Sequence, residues 1–250
     1  MKRYSIVIWS YAPQTVEMFS LIFANNTLTK LVFPAKMYVG NDKSKEIYLS
    51  NSKEFSTSLI SVEDYSKETG RIPLYLYPEN GLKFSAAALP ANSISPSVIT
   101  LEFTAKHLQD SVCTLEDIEM LLREIVFGFR VDQAYLYDTE PIKIPEPGGG
   151  FRMLKPNIYK RHGQEGHYRL ELDWLTYFGN DYLDLIGRER FENLTTCYFK
   201  EELNNGILVI LQKEPFDGTN PKHIASKKQA EIELGFDKLM KNNKGNINHD

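Results

Sequence analysis

Apolar and polar positions along the chain alternate with two periods, and together they predict a mixture of strands and helices. Tyr4 to Trp9 is a short apolar run containing β-branched residues, which predicts a buried strand. After Pro13, Val16, Phe19, Ile22 and Phe23 recur at helical spacing. They predict a helix from about Gln14 towards Leu31, with an irregularity at Asn25-Asn26 and a stop at Pro34. Lys36 to Val39 and Glu46 to Leu49 predict two short strands around the polar turn Gly40-Asn41-Asp42-Lys43. Leu74 to Tyr77 and Leu82 to Ala88 predict two more, divided by Pro78 and Gly81, and Ala91 to Pro96 reads as a loop. Ser97 to Phe103 alternates as a half-buried strand does.

The next segment carries the clearest helical signal. Thr114 followed by Asp117 forms a capping box in its looser form, with an acidic residue at the third helical position. Leu115, Ile118, Leu121, Leu122, Ile125 and Phe129 then mark one apolar face. Ala134 to Tyr137 completes a strand–helix–strand unit spanning Ser97 to Asp138. Beyond a segment rich in proline and glycine, Leu170 to Trp174 predicts extended chain, and Leu175, Phe178, Leu183 and Ile186 lead into a short helix interrupted at Gly179. Thr195 to Leu203 and Gly206 to Gln212 read as strands, and the Asn205-Gly206 step predicts a hairpin between them. Asn220-Pro221 is a helix start, with the cap at Asn220 and proline at the first helical position. Ala225, Ile232, Phe236 and Leu239 mark the predicted face of a final helix, and 242–250 reads as a polar tail.

This order of elements predicts an α+β fold of mixed or antiparallel sheets with helices packed on one face, compatible with two similar halves. The 250 residues suffice for one domain, 1–250. They also suffice for sub-domains 1–140 and 151–241 joined by the Pro/Gly-rich segment 141–150.

Composition narrows the function classes. A net charge of −4 gives no electrostatic footprint for nucleic acid and mildly suits a basic partner. No stretch approaches the roughly 20 apolar residues that span a bilayer, so no membrane role is expected. The apolar run after Lys2-Arg3 is too short for a signal-peptide core. Cys113 and Cys197 make no disulfide framework, and reduced thiols fit a cytoplasmic protein.

Each chemical motif lacks a required part. Gly148-Gly149-Gly150 is followed by Phe151-Arg152 rather than the Lys-Ser/Thr pair of a phosphate loop. His162 and His167 are five apart with two glycines between, whereas histidine ligands on a helix share a face at three or four. Cys113 precedes a helix cap, where a thiolate is favoured, and His107 or His223 would have to serve as base to a thiol. Glu116-Asp117 complements a helix N-terminus; Glu171-x-Asp173 and Glu201-Glu202 suit the solvent side of strands or a polar contact surface. Lys222, Lys227, Lys228, Lys238 and Lys241 read as the wet face of the last helix. No catalytic, cofactor-binding or metal-binding residue is therefore assigned, and no cofactor is expected.

One stretch resembles a known family. Asp173-Trp174-Leu175-Thr176-Tyr177-Phe178, then Tyr182-Leu183, then Gly206 to Leu211 and Glu214-Pro215, is similar to the immunity protein 52 family of bacterial polymorphic-toxin systems and to related immunity proteins of type VI secretion. There a tryptophan block is followed some thirty residues later by a glycine-led apolar strand ending near proline. The resemblance covers Ser97 to Leu239. It implies an α+β fold and a non-catalytic cytoplasmic protein that binds and neutralises a cognate toxin, often a nuclease. Trp174 is the one family-type residue it carries over, and as a large apolar side chain it reads as core. The toxin-binding residues and the oligomeric state are not implied. The competing reading is a hydrolase built from the 148–171 loop, gathering His162, His167 and Glu171.

Overall fold

The computed structural model describes residues 2–11, 26–39, 46–51, 54, 72–88, 97–139, 143–145, 151–153, 158–160 and 167–244. The chain forms two compact units, Met1–Ala134 and Tyr135–Asp250. Both contain strands and helices, so the fold is α+β, as expected.

The first unit contains β1 (Arg3–Ser10), α1 (Asn26–Val32), β2 (Ala35–Val39), β3 (Glu46–Leu49), β4 (Ile72–Pro78), β5 (Lys83–Ala88), β6 (Ser97–Thr104), α2 (Ala105–Gln109) and α3 (Leu115–Gly128). Its strands lie in the order β1-β6-β5-β4-β2-β3, with antiparallel pairing throughout. Side-chain alternation sorts the sheet into two faces. Ile6, Ile8, Ile99, Leu101, Phe84, Leu76 and Met37 share one face and are buried. Burying each such side chain contributes about 1.5–3 kcal/mol. Helix α1 packs against β4 and α3.

Helix α3 begins as the sequence predicts. The Thr114 side chain accepts from the Asp117 N–H, and the Asp117 carboxylate accepts from the Thr114 N–H at 2.9 Å. Ile118, Leu121, Leu122, Ile125 and Val126 are its buried face. Of the expected helix from Gln14 towards Leu31, the part that falls on described residues is α1; residues 12–25 lie outside the described set, as do 40–45, 55–71 and 89–96. Strand β7 (Gln133–Asp138) carries the chain into the second unit.

The second unit contains β8 (Lys143–Pro145), β9 (Phe151–Met153), β10 (Ile158–Lys160), β11 (His167–Arg169), β12 (Leu175–Phe178), α4 (Asn180–Ile186), α5 (Arg188–Glu192), β13 (Phe199–Leu203), β14 (Gly206–Ile210), α6 (Pro221–Glu233) and α7 (Phe236–Lys244). Strand β8, which lies in the segment 141–150, pairs antiparallel with β9 just beyond it. Strand β10 pairs with β11, and β14 lies between β12 and β13.

The hairpin β13–β14 turns on Asn204 and Asn205, both at positive φ, 42° and 60°. That two-residue geometry matches the twist of antiparallel strands, and asparagine tolerates it. Gly206 follows because a Cβ there would overlap the Tyr177 hydroxyl and the Phe178 carbonyl. The Tyr177 hydroxyl donates across the hairpin end to the Leu203 and Asn204 carbonyls, at 3.2 and 3.3 Å.

The predicted last helix is two helices. Asn220 caps α6 by accepting from the Lys222 N–H at 3.0 Å, with Pro221 at the first position, as expected. Gly235, at φ 73°, then separates α6 from α7. Ala225 and Ile232, on the predicted face, are exposed, while Ala230 and Leu234 on another side of α6 are buried, as is Phe236 at the start of α7. A small interior forms beneath these helices from Leu170, Leu172, Phe178, Tyr182, Leu183, Phe191, Val209 and Leu211. At the end of α5, the Lys200 ammonium donates to the Phe191, Glu192 and Leu194 carbonyls, at 2.9, 2.6 and 2.7 Å.

Candidate functional site

Among the described residues of the second unit, a dense polar cluster surrounds the extended segment before Trp174. Leu170 and Leu172 point into the core, so Arg169, Glu171 and Asp173 project together from the opposite side. The Arg169 guanidinium bonds the Glu171 carboxylate at 3.0 Å and also the Asp173 carboxylate, and it lies over the Tyr135 ring, 4.1 Å from its centroid. Lys227 on α6 reaches the same carboxylates. Its Nζ is 2.6 Å from Glu171 Oε1, 3.7 Å from Asp173 Oδ1 and 3.9 Å from Glu231 Oε1. Glu231 in turn accepts from the Leu172 N–H at 3.0 Å.

The five groups are mutually compensating. Burial opposes the charged form of Arg169, but Asp173 and Glu171 outweigh it and hold the guanidinium firmly protonated. Burial likewise opposes the Lys227 ammonium, and Asp173, Glu171 and Glu231 reverse the effect and raise its pKa. For Glu231 burial wins, and its carboxyl lies above the ordinary range despite Lys227 and the Leu172 N–H. Two expectations are corrected here. Glu171 and Asp173 are buried ion-pair partners, not residues on the solvent side of a strand. Lys227 is not on the wet face of its helix, whereas Lys222, Lys228, Lys238 and Lys241 are exposed.

Trp174 adjoins this cluster and is buried. Its indole N–H donates to the Gln212 carbonyl at 2.9 Å, and its own carbonyl accepts from the Leu211 N–H at 2.9 Å. The residue thus fastens the start of β12 to the end of β14. Phe178, Tyr182, Leu183, Ile207, Val209 and Leu211, from the same sequence blocks, all line the interior.

The other candidates are dispersed or outside the described residues. Gly148-Gly149-Gly150 and His162 lie outside them; for His167 only the backbone, at the start of β11, is described. Glu171 has each oxygen in an ion pair, which gives its carboxylate a structural account. The His107 ring accepts from the Thr104 N–H at 3.1 Å in the cap of α2. His223 Nδ1 accepts from the Asp217 N–H at 3.0 Å. Cys113 is buried, and burial, with Asp117 nearby, pushes its thiol up to about 12, so the expected advantage of its place before the cap is not realised. Burial also raises the Cys197 thiol. Among the described residues no group of three or more His, Cys, Asp or Glu is placed to hold a metal ion, and no helix is long and apolar enough to cross a membrane.

Sequence reasoning missed the role of Lys227 altogether. A signal for the rest was present: Arg169, Glu171 and Asp173 alternate with Leu170 and Leu172, which marks an extended segment with one apolar and one charged side. Which side met protein was set by α6, nearly sixty residues later.

No protein-family model matches the chain, and no curated protein matches it. Among solved structures, the fold is similar to that of a Pseudomonas aeruginosa T6SS protein, PA0821, with a TM-score of 0.58 and 13% sequence identity. The likeness covers 93% of this chain and 76% of that one. It is a likeness of fold.

Proposed function

We propose that this protein is an immunity protein: it binds a cognate bacterial toxin and neutralises it by covering part of the toxin's surface, with no catalysis of its own. The observation that carries this reading is the fold likeness to a type VI secretion protein across 93% of the chain. The resemblance of the Trp174 block to immunity protein 52 supports it from a different side. Those motif residues are interior, so what they encode is a scaffold. In this reading the protein acts in the bacterial cytoplasm on a toxin delivered by sibling cells, a nuclease being one such class. Tight protein complexes bury about 1,200–2,000 Å² in total, which a chain with 13811 Å² of accessible surface accommodates.

The test is co-expression. The product of the adjacent gene, induced alone in a bacterial host, is expected to arrest growth, and this protein is expected to restore it. An adjacent product that is harmless alone, or that remains toxic beside this protein, overturns the reading.

A further inference from the structure

Helix α2 starts on a capping box whose third helical residue is a histidine. The Thr104 hydroxyl accepts from the His107 N–H at 3.4 Å, and His107 Nδ1 accepts from the Thr104 N–H at 3.1 Å. Glutamate or glutamine ordinarily fills that position. An amide keeps its acceptor oxygen in mild acid, whereas an imidazole does not keep its acceptor nitrogen. An imidazolium carries a proton on both nitrogens, so no rotation of the ring restores the bond to the Thr104 N–H.

The rest of the turn hangs on the same residue. The His107 carbonyl accepts from the Val112 N–H at 2.9 Å and from the Cys113 N–H at 3.5 Å. Cys113 directly precedes Thr114, the cap of α3, and its thiol is fully buried. None of the five residues of α2 is buried. A helix this short, with no buried face, depends on its cap. The far edge of the imidazole faces Gly81, in the turn between β4 and β5, where a Cβ would stand 3.3 Å from Nε2.

We infer that His107 is an acid-released latch. Neutral, it holds the segment 104–113 closed; protonated, it lets that segment open and brings the Cys113 thiol to solvent. The latch goes beyond the immunity reading and does not depend on it. The charges that act on the ring are Asp110, just past α2, which favours the imidazolium, and Lys106 within α2, which opposes it. Strand β6 meets the ring through Thr104, the β4–β5 turn meets it through Gly81, and the chain before β1 meets α2 through the Lys2 carbonyl, which accepts from the Ala105 N–H at 3.0 Å. Burial, with Lys106, outweighs Asp110 and holds the imidazole below its ordinary range. A depressed imidazole stabilises the closed turn fully above its unfolded pKa of about 6.5, and that contribution is lost as the pH falls through the lower folded value.

The experiment compares the full-length wild type with His107→Gln and His107→Ala. Glutamine supplies the capping-box acceptor without titrating, and alanine removes it. Each protein is exposed to dithiodipyridine, which reacts with thiols in mild acid, and labelling of the Cys113 peptide is timed by mass spectrometry. Between about pH 8 and about pH 5, a span that covers imidazole titration, the ratio of the wild-type rate to the His107→Gln rate is expected to rise by about 5-fold or more, the factor that loss of a helix cap corresponds to. His107→Ala is expected to label faster than His107→Gln at both ends of the range. Nitrogen NMR of the wild-type ring is expected to show Nδ1 unprotonated at neutral pH. A wild-type rate that keeps step with His107→Gln across the range overturns the latch, because acid then acts elsewhere. Nδ1 found protonated at neutral pH overturns it as well, whether or not His107→Ala folds.

Discussion

Lys227 Nζ lies 2.6 Å from Glu171 Oε1, although 56 residues separate them in the chain. The contact makes α6 a partner of the segment that precedes Trp174. It also places a cation among two buried carboxylates, Glu171 and Asp173, and the half-buried Glu231, where its removal leaves charge without compensation.

Lys227→Met is therefore expected to destabilise the protein by about 3–5 kcal/mol, the range for breaking a buried ion network by removing one partner. Lys222→Met, on the exposed side of the same helix, is expected to change stability by less than about 0.5 kcal/mol. Urea denaturation of the two variants measures the difference. Adding Glu231→Gln to Lys227→Met is expected to recover part of the loss, because it removes one of the stranded charges.

Two carboxylates on α6 titrate in opposite directions. Burial raises Glu231. Burial would raise Glu233 too, but donors from the Thr196 hydroxyl, the Thr195 and Thr196 N–H groups and Gln229 outweigh it and hold Glu233 at about 2. A depressed carboxyl stabilises the fold above its unfolded pKa of about 4.3. That contribution is expected to fade as the pH falls from about 4.3 towards about 2. Glu231 has the opposite sign: its contribution is present below the ordinary carboxyl pKa and declines as pH rises through the raised value. Carboxyl chemical shifts of the two residues, followed by NMR, check both directions. Glu233→Gln should flatten the acid limb of the stability profile.

Gly235→Ala is expected to cost more than about 1 kcal/mol, since alanine at positive φ is strained and its Cβ would run into the Arg190 guanidinium. That guanidinium donates to the Leu234 carbonyl at 3.0 Å, so the substitution also displaces a contact closing α6. Gly128→Ala, where a Cβ meets nothing within 4 Å, is the matched control. Thermal melts of the pair separate backbone strain from a general dislike of alanine.

Thiol titration is expected to leave Cys113 unmodified in the native protein at neutral pH. The residue is buried and its pKa is pushed up to about 12, so almost no thiolate is present. Both cysteines should react fully once the chain is unfolded in urea. Rapid native labelling of Cys113, read by mass spectrometry, would contradict the burial.

What was legible in the sequence is local. Thr114 with Asp117 and Asn220 with Pro221 each settle a helix start within three or four residues and act as their chemistry predicts; the hairpin stands where the Asn205-Gly206 step predicts one, but it turns on Asn204 and Asn205, with Gly206 opening β14. The α+β class follows from the sum of such signals. What was not legible depends on distant chain. The protein-facing side of α6 includes buried Ala230 with half-buried Lys227 and Glu231; Lys227 is held there by ion pairs with Glu171 and Asp173, and Glu231 by Lys227 and the Leu172 N–H. An apolar-period search passes over it and selects Ala225 and Ile232, which are exposed. The neighbourhood of Lys36, Tyr48 and Tyr77 on β2, β3 and β4 is hidden for a similar reason: strand register alone brings them side by side.

Lys200 shows what a side-chain contact between neighbouring elements can replace. Its ammonium has three N–H donors, and three main-chain carbonyls receive them. In coordination terms the end of α5 is a small oxygen-lined cation site whose cation is tethered to the neighbouring strand. The site is always filled at a local concentration fixed by the chain, independent of the ions in solution. A guanidinium, being flat, cannot occupy the apex of that tripod, so arginine there would keep the charge and lose the geometry.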